Sequence, residues 1–390
     1  MGVDCMSSPD RVAPARQAPT PYSGLALASR GDALTPYLHD ALRRRFPAVG
    51  LIDPELSSAQ RYRVAALTVR PTRSGWVERF YKSGYASELR SANAARSIGA
   101  LPQPPRVILQ VHALFQVAEA PTAVYIDCTH AQSAQLWPAW NPLKGRSLRR
   151  WYERETAIYD SAHHLFAFSE ATKSSLVLDY GIDPDKVTVT GAGVNFSGLP
   201  TVPRAPIEST KPADSAPTIL FIGNDFVRKG GEVLLEAFQT VRSVIPNARL
   251  QLVGVDPGIT APPGVEVLGR IGDRDRIASL YRSATVFAVP SFFDPFPLVA
   301  LEAMAFGLPV VSTRQMGTGE MIDDGRTGRL VEPGDSEAVA AALLALLMDP
   351  EAARAMGAAA SHDVRLRFSW DAVVERMVPA LDRMLIGLDA

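Results

Sequence analysis

Residues 285–313 read TVFAVPSFFDPFPLVALEAMAFGLPVVST. TVFAVPS (285–291) is a β-branched and aromatic run, and PLVALEAMAFG (297–307) is built of helix formers with Pro297 suited to a first turn. PVVST (309–313) returns to β-branched residues. A buried strand, a helix and a second buried strand in this order predict a parallel βαβ unit. The alternation extends upstream. TILFIG (218–223), RLQLVGV (249–255) and VEVLG (265–269) predict strands, EVLLEAFQTVRSV (232–244) and DRDRIASLYRSA (273–284) predict helices, and helical stretches at 336–348 and 369–388 close the chain.

The N-terminal half alternates too. DALTPYLHDALRRRF (32–46) sets Leu34, Tyr37, Leu38, Ala41, Leu42 and Phe46 on one helical face, and RRWYERETAIYDSA (149–162) predicts another helix. RVILQVH (106–112), TAVYID (122–127), HLFAFS (164–169) and KVTVTGAG (186–193) predict strands. Between the halves, Pro200, Pro203, Pro206, Pro212 and Pro217 stand among polar residues, a composition that stays extended. The expected organisation is a disordered tail over 1–21, a Rossmann-like domain over 22–198, and a linker over 199–217. A second Rossmann-like domain over 218–368 and a C-terminal helix over 369–390 complete it. The fold class is α/β with two doubly wound domains facing a cleft, and ligands of such sheets sit beyond the carboxyl ends of the strands.

Composition narrows the class. A chain of 390 residues with 47% apolar and 21% charged residues has material for two cores, which excludes wholesale disorder. Cys5 and Cys128 cannot make a disulfide framework, and a reducing, cytoplasmic setting is expected. Apolar runs stop short of the ~18 residues of a membrane span. The net charge of −1 gives no general attraction for nucleic acid. Residues 1–200 carry 22 Lys and Arg against 17 Asp and Glu, whereas residues 201–390 carry 18 against 24, so the N-terminal half is the more basic.

Two segments carry chemistry. In FIGNDFVRKGG (221–231) a strand ends at Gly223, and Arg228, Lys229, Gly230 and Gly231 precede a helix. Free amides at a helix start, flexible glycines and two cations suit phosphate, although a solvated basic loop would read the same. In SFFDPFPLVALEAMAFG (291–307), Glu302 lies in an apolar run, where a carboxylate needs donors. Sugar hydroxyls could supply them, as could a nearby arginine. Asp294 in the preceding loop is a second carboxylate at the same helix end.

Asp294 to Glu302 resembles the E-x7-E signature of GT-B-fold retaining glycosyltransferases of family four, also described as glycosyl transferases group 1. FIGNDFVRKGG resembles that family's phosphate loop, and Gly317 with Glu320 and DDGRTGRLVEPGD (323–335) resembles its following segment. The resemblance covers roughly residues 105–385. It implies that Gly223, Arg228, Lys229 and Gly230 hold the diphosphate of a nucleotide-sugar donor with the amides of Leu298 and Val299. It also implies that Glu302 binds the ribose, that Asp294 lies near the donor sugar, and that Arg270 in segment 267–271 lines the base. Asp294 is one methylene shorter than the family's Glu, and Asn224 stands where the family often has Arg. The glycine-rich loop that commonly follows the family's first strand is not found as such: Gly24 is isolated and Gly31-Asp32 precedes a helix, so residues 22–32 could form a shortened version.

The family places a histidine at an N-terminal strand end. Here Asp127, His130 and His112 are candidates, and Asp127 and His130 are expected to be catalytic with Asp294 and Glu302. The resemblance makes 218–368 the donor-binding domain and 22–198 the acceptor-binding one. No Asp-x-Asp pair stands in a suitable loop, so no metal and no cofactor are expected, and the C-terminal helix is expected to cross back to the first domain. The partners expected are the donor and an acceptor hydroxyl of a glycan, lipid-linked or small molecule. Arg43, Arg44 and Arg45, with Arg146, Arg149, Arg150 and Arg154, could meet an anionic lipid carrier or the inner face of a membrane. A catalytically silent nucleotide-sugar-binding subunit on the same fold is the alternative.

Overall fold

A computed structural model describes residues 24–196, 216–255, 258 and 261–387. The tail expected over 1–21, all but the last two residues of the linker expected over 199–217, and the final three residues of the chain lie outside this range.

Two parallel sheets form the molecule. The first contains β1 (Leu25–Ala28), β2 (Gly50–Ile52), β3 (Val107–Val111), β4 (Thr122–Ile126), β5 (His164–Ala167) and β6 (Val187–Val189) in the order β2-β1-β3-β4-β5-β6. The second contains β7 (Thr218–Ile222), β8 (Arg249–Val253), β9 (Val265–Gly269), β10 (Val286–Val289), β11 (Val310–Thr313) and β12 (Gly328–Val331) in the order β12-β11-β10-β7-β8-β9. Strands covered by helices on both faces are largely apolar, and β1, β3, β4 and β10 are buried at every position, the buried Gln110 of β3 being satisfied by the His112 and Phe115 carbonyls. Strand order reverses between β1 and β3 in the first sheet and between β7 and β10 in the second, and such switch points open a crevice at the strand ends. These two crevices position the site.

The helices predicted at 32–46, 232–244, 273–284 and 297–307 occur as Thr35–Arg45, Gly231–Val244, Arg274–Ser283 and Leu298–Ala305. The C-terminal helix, Trp370–Ile386, packs on Thr35–Arg45, with Arg44 Nη2 at 2.7 Å from Asp371, and Arg106 donates to the Leu385 carbonyl at 2.8 Å. It therefore crosses back to the first sheet as expected. The crossing is tightly seated, since a Cβ on Gly193 would lie 2.4 Å from the Trp370 ring. The neighbouring Asn195 side chain accepts from Trp370 Nε1 at 3.1 Å. Among the described residues no helix is long and apolar enough to cross a membrane.

Candidate active site

In the second sheet the loop after β7 meets the loop after β10. Gly230 adopts φ +72°, and a Cβ there would lie 1.9 Å from the Pro290 carbonyl oxygen, so this contact requires glycine. The approach seats Lys229 Nζ at 2.7 Å from Asp294 Oδ2. Arg228 donates from Nε to Asp225 at 3.1 Å and from Nη1 to the Phe293 carbonyl at 2.6 Å, and its Nη1 lies 3.7 Å from Asp294 Oδ2. Arg228, Lys229 and Asp294 are buried, so two desolvated cations share one desolvated carboxylate at the switch point. Gly223 packs beneath them: a Cβ there would lie 2.9 Å from Lys229 Cδ.

Glu302 is buried in Leu298–Ala305. Its Oε1 accepts from Arg274 Nη2 at 2.9 Å and its Oε2 from the Tyr281 hydroxyl at 3.0 Å. Of the two sources of donors open to this carboxylate, the arginine is the one seen here. Burial raises its pKa, and Arg274 and Tyr281 work against that rise. A carboxylate offers about four lone-pair sites, so two remain for hydroxyls. Leu298 and Val299 are half-buried in the first turn of this helix, and Arg270 is exposed just beyond β9.

In the first sheet the switch point holds a second charged cluster. The loop after β1 turns at Gly31, φ +72°, and leads into Thr35–Arg45, so a short glycine turn does follow the first strand. His112, directly after β3, adopts φ +62° and lies between two carboxylates, 3.2 Å from Asp32 through Nε2 and 3.3 Å from Asp127 through Nδ1. Burial disfavours its protonated form, but Asp127 and Asp32 outweigh this and raise its pKa to about 9. It is an imidazolium at neutral pH.

His130 opens the helix His130–Leu136 instead of ending a strand. Its Nδ1 lies 3.0 Å from Lys82 Nζ, and Lys82 is also 2.8 Å from Glu78. Burial, then the Lys82 charge, lowers the His130 pKa to about 3, so the ring is neutral; with Nδ1 accepting, its proton sits on Nε2. Arg30, Lys82, His112, Asp127, His130 and Trp140 border one cavity of about 290 Å³. The three candidates from the N-terminal half thus share a wall. At its floor Glu155 accepts from Tyr159 at 3.1 Å and from Tyr180, and burial raises its pKa to about 7.

The cleft is closed by aromatic rings. Trp140 stacks on Arg228, with the guanidinium carbon 4.3 Å from the ring centroid, and meets Phe293 edge-on at 5.5 Å. Trp137 stacks on Phe292 at 6.2 Å, and the Glu170 amide donates to Glu320 Oε1 at 2.8 Å. Trp137, Trp140, Asp32, Arg274 and Tyr281 were not found by sequence reasoning. WPAWNP (137–142), two tryptophans in a proline turn, was the available signal for the first two.

Residues 216–349 match a family model described as glycosyl transferases group 1. A D-inositol 3-phosphate glycosyltransferase 2 of Catenulispora acidiphila is 32% identical over 255 residues, covering 60% of this chain and 60% of that protein. A D-inositol 3-phosphate glycosyltransferase of Corynebacterium kroppenstedtii is 34% identical over 236 residues, covering 55% and 52%. The chain therefore spans little more than half the length of these relatives. Among solved structures, sucrose-phosphate synthase from Thermosynechococcus elongatus superposes with a TM-score of 0.65 at 21% identity, covering 93% of this chain and 99% of that one. WaaG, a glycosyltransferase involved in lipopolysaccharide biosynthesis, gives 0.61 at 16% identity, covering 90% and 98%. The fold is GT-B, and over residues 216–349 the resemblance to glycosyl transferases group 1 is borne out.

Proposed function

We propose that the chain is a glycosyltransferase that moves a sugar from a nucleoside diphosphate sugar to an acceptor hydroxyl, with retention of anomeric configuration. The observation that carries this reading is the buried cluster of Arg228, Lys229 and Asp294 at the switch point of a domain that matches the glycosyl transferases group 1 family. Breaking the anomeric C–O bond builds negative charge on the departing diphosphate. Arg228, Lys229 and the amides of Leu298 and Val299 would meet that charge without a metal, because fixed donors in a water-poor cleft need no reorganisation. Asp294 would orient the donor sugar, and Glu302 would accept from the ribose with the lone pairs that Arg274 and Tyr281 leave open.

The acceptor would enter the cavity bordered by His112, Asp127 and His130. His112 is protonated and clamped, so it is suited to donate a hydrogen bond, not to remove a proton. The leaving phosphate would then take the acceptor proton, in a same-face attack. The relatives are named for an inositol phosphate, and a phosphorylated polyol is accordingly one acceptor to assay. A thermal-shift screen against nucleoside diphosphates tests the reading, since a ligand that binds the folded state raises stability by RT ln(1 + [L]/Kd). No stabilisation by any of them would refute it. The coverage of Arg228 by Trp140 and of Glu302 by Arg274 also fits the second reading, a donor-binding subunit without turnover, which donor binding with no transfer to any acceptor would favour.

A further inference from the structure

We propose that the helix pair Ser58–Thr68 and Arg73–Lys82 docks the protein on an anionic lipid surface. This inference is independent of the glycosyltransferase reading, because it concerns a face outside the cleft and is tested without donor or acceptor.

Between Glu55 and Glu78 the chain has no acidic residue, while Arg61, Arg63, Arg70 and Arg73 fall in that interval. The same interval carries apolar side chains that the fold leaves outside. Tyr62 is 79% exposed, Leu67 72%, Val69 57%, Val77 40% and Trp76 38%. Trp76 is fixed at the surface by its indole N–H, which donates to the Ala65 carbonyl of the neighbouring helix at 3.0 Å. Solitary exposed apolar residues are ordinary, but Tyr62, Trp76 and Val77 line one open groove with Phe80, and Leu67 and Val69 are exposed on the same short segment, the kind of surface that marks an interaction site. Arg63 and Arg70 are exposed beside it. Arg61 is paired with Glu55 at 3.5 Å, so the charge offered to a partner is that of Arg63 and Arg70. An indole, aliphatic chains and these two exposed guanidinium groups match the interface of a bilayer carrying anionic headgroups.

Charge decides between this occupant and a second copy. A two-fold contact through the patch would bring the same arginines against one another, whereas anionic lipid pairs with them. Of the seven arginines expected to meet a membrane, two are engaged within the protein: Arg44 pairs with Asp371 at 2.7 Å, and Arg45 lies 3.6 Å from both Glu375 and Asp382. The helix Arg73–Lys82 that carries Trp76 ends in Lys82, which borders the cavity proposed for the acceptor. At 1.5 Å per residue, Trp76 and Lys82 are roughly 9 Å apart along the axis, within reach of a headgroup.

The test is co-sedimentation of the full chain with phosphatidylcholine vesicles and with vesicles that also contain phosphatidylglycerol. Binding is expected on the anionic vesicles, weakened by salt. Arg63→Glu with Arg70→Glu should reduce it by at least tenfold, since each arginine near an anionic surface contributes about 1 kcal/mol. Trp76→Ser with Leu67→Ser should reduce it independently. Both pairs alter exposed side chains, and unchanged thermal melting identifies a lost surface. Absence of binding to anionic vesicles, equal binding by wild type and both variants, or a solution dimer abolished by Trp76→Ser with Leu67→Ser would overturn the proposal.

Discussion

The guanidinium carbon of Arg228 lies 4.3 Å from the centre of the Trp140 ring, so a residue of the N-terminal domain covers a cation of the C-terminal one. Arg228 reaches Asp225, Phe293 and Asp294 on its own side, and Trp140 closes the remaining face.

A desolvated cation–π contact contributes about 2 kcal/mol, equivalent to about thirtyfold in an equilibrium constant. Trp140→Ala is therefore expected to destabilise the folded protein by up to about that amount, read as a lower denaturant midpoint. Trp140→Phe should recover most of the loss. Denaturant melts of the three proteins measure both, and equal midpoints in wild type and Trp140→Ala would contradict the contact assigned to the ring.

Lys229 and Asp294 separate folding from binding. Lys229→Ala leaves Asp294 buried with Arg228 at 3.7 Å as its remaining cation, and breaking a buried pair in this way costs about 3 kcal/mol or more. Adding Asp294→Asn removes the stranded charge and should restore most of that stability. Affinity for nucleoside diphosphates should remain low in both variants. Denaturant melts paired with calorimetric titration give the two quantities, and recovery of binding in the double variant would place the diphosphate elsewhere.

His112 predicts an alkaline limb. Its pKa is raised from 6.5 to about 9, so its protonated form contributes stability that is complete below about pH 6.5 and is lost as pH rises through about 9. The integrated contribution is at most about 3 kcal/mol. Asparagine tolerates positive φ, so His112→Asn removes the titration without straining the backbone. Melting temperatures at pH 7 and pH 9.5 should converge in this variant relative to wild type.

Glu155 acts with the opposite sign, as a carboxyl raised from 4.5 to about 7 by burial. The folded state holds its proton more tightly than the unfolded chain, so the folded state loses up to about 3 kcal/mol between about pH 4.5 and pH 7. Glu155→Gln keeps a partner for Tyr159 and Tyr180 and abolishes the charge. It should stabilise the protein at pH 8 more than at pH 5, as read by denaturant midpoints at the two values.

The second sheet was legible because its strands are β-branched runs divided by periodic helices, and its site because Arg228, Lys229, Asp294 and Glu302 fall within compact segments. The first sheet was less so. β1 is LALA, four residues of high helix propensity that tertiary burial holds extended, and the helices at 58–68, 73–82 and 84–99 have too weak a periodicity to announce themselves. His112 was one of three candidates, and its pairing with Asp32, 80 residues away in sequence, depends on β1 and β3 coming side by side at the switch point, while Asp127 arrives from the next strand, β4. Trp140 and Arg228 meet only when both domains are folded. Spacing within a segment can be read, but contacts between segments require the topology.

The helix Trp370–Ile386 sets an order of events during synthesis. It packs against Thr35–Arg45 and β3, and its Val373, Val374, Met377 and Leu381 share one apolar cluster with Leu25, Leu27, Leu38 and Leu109. The first sheet is made before this helix, so that flank stays uncovered until residues 370–386 follow. Removing the helix would strip apolar cover from a domain translated well before it.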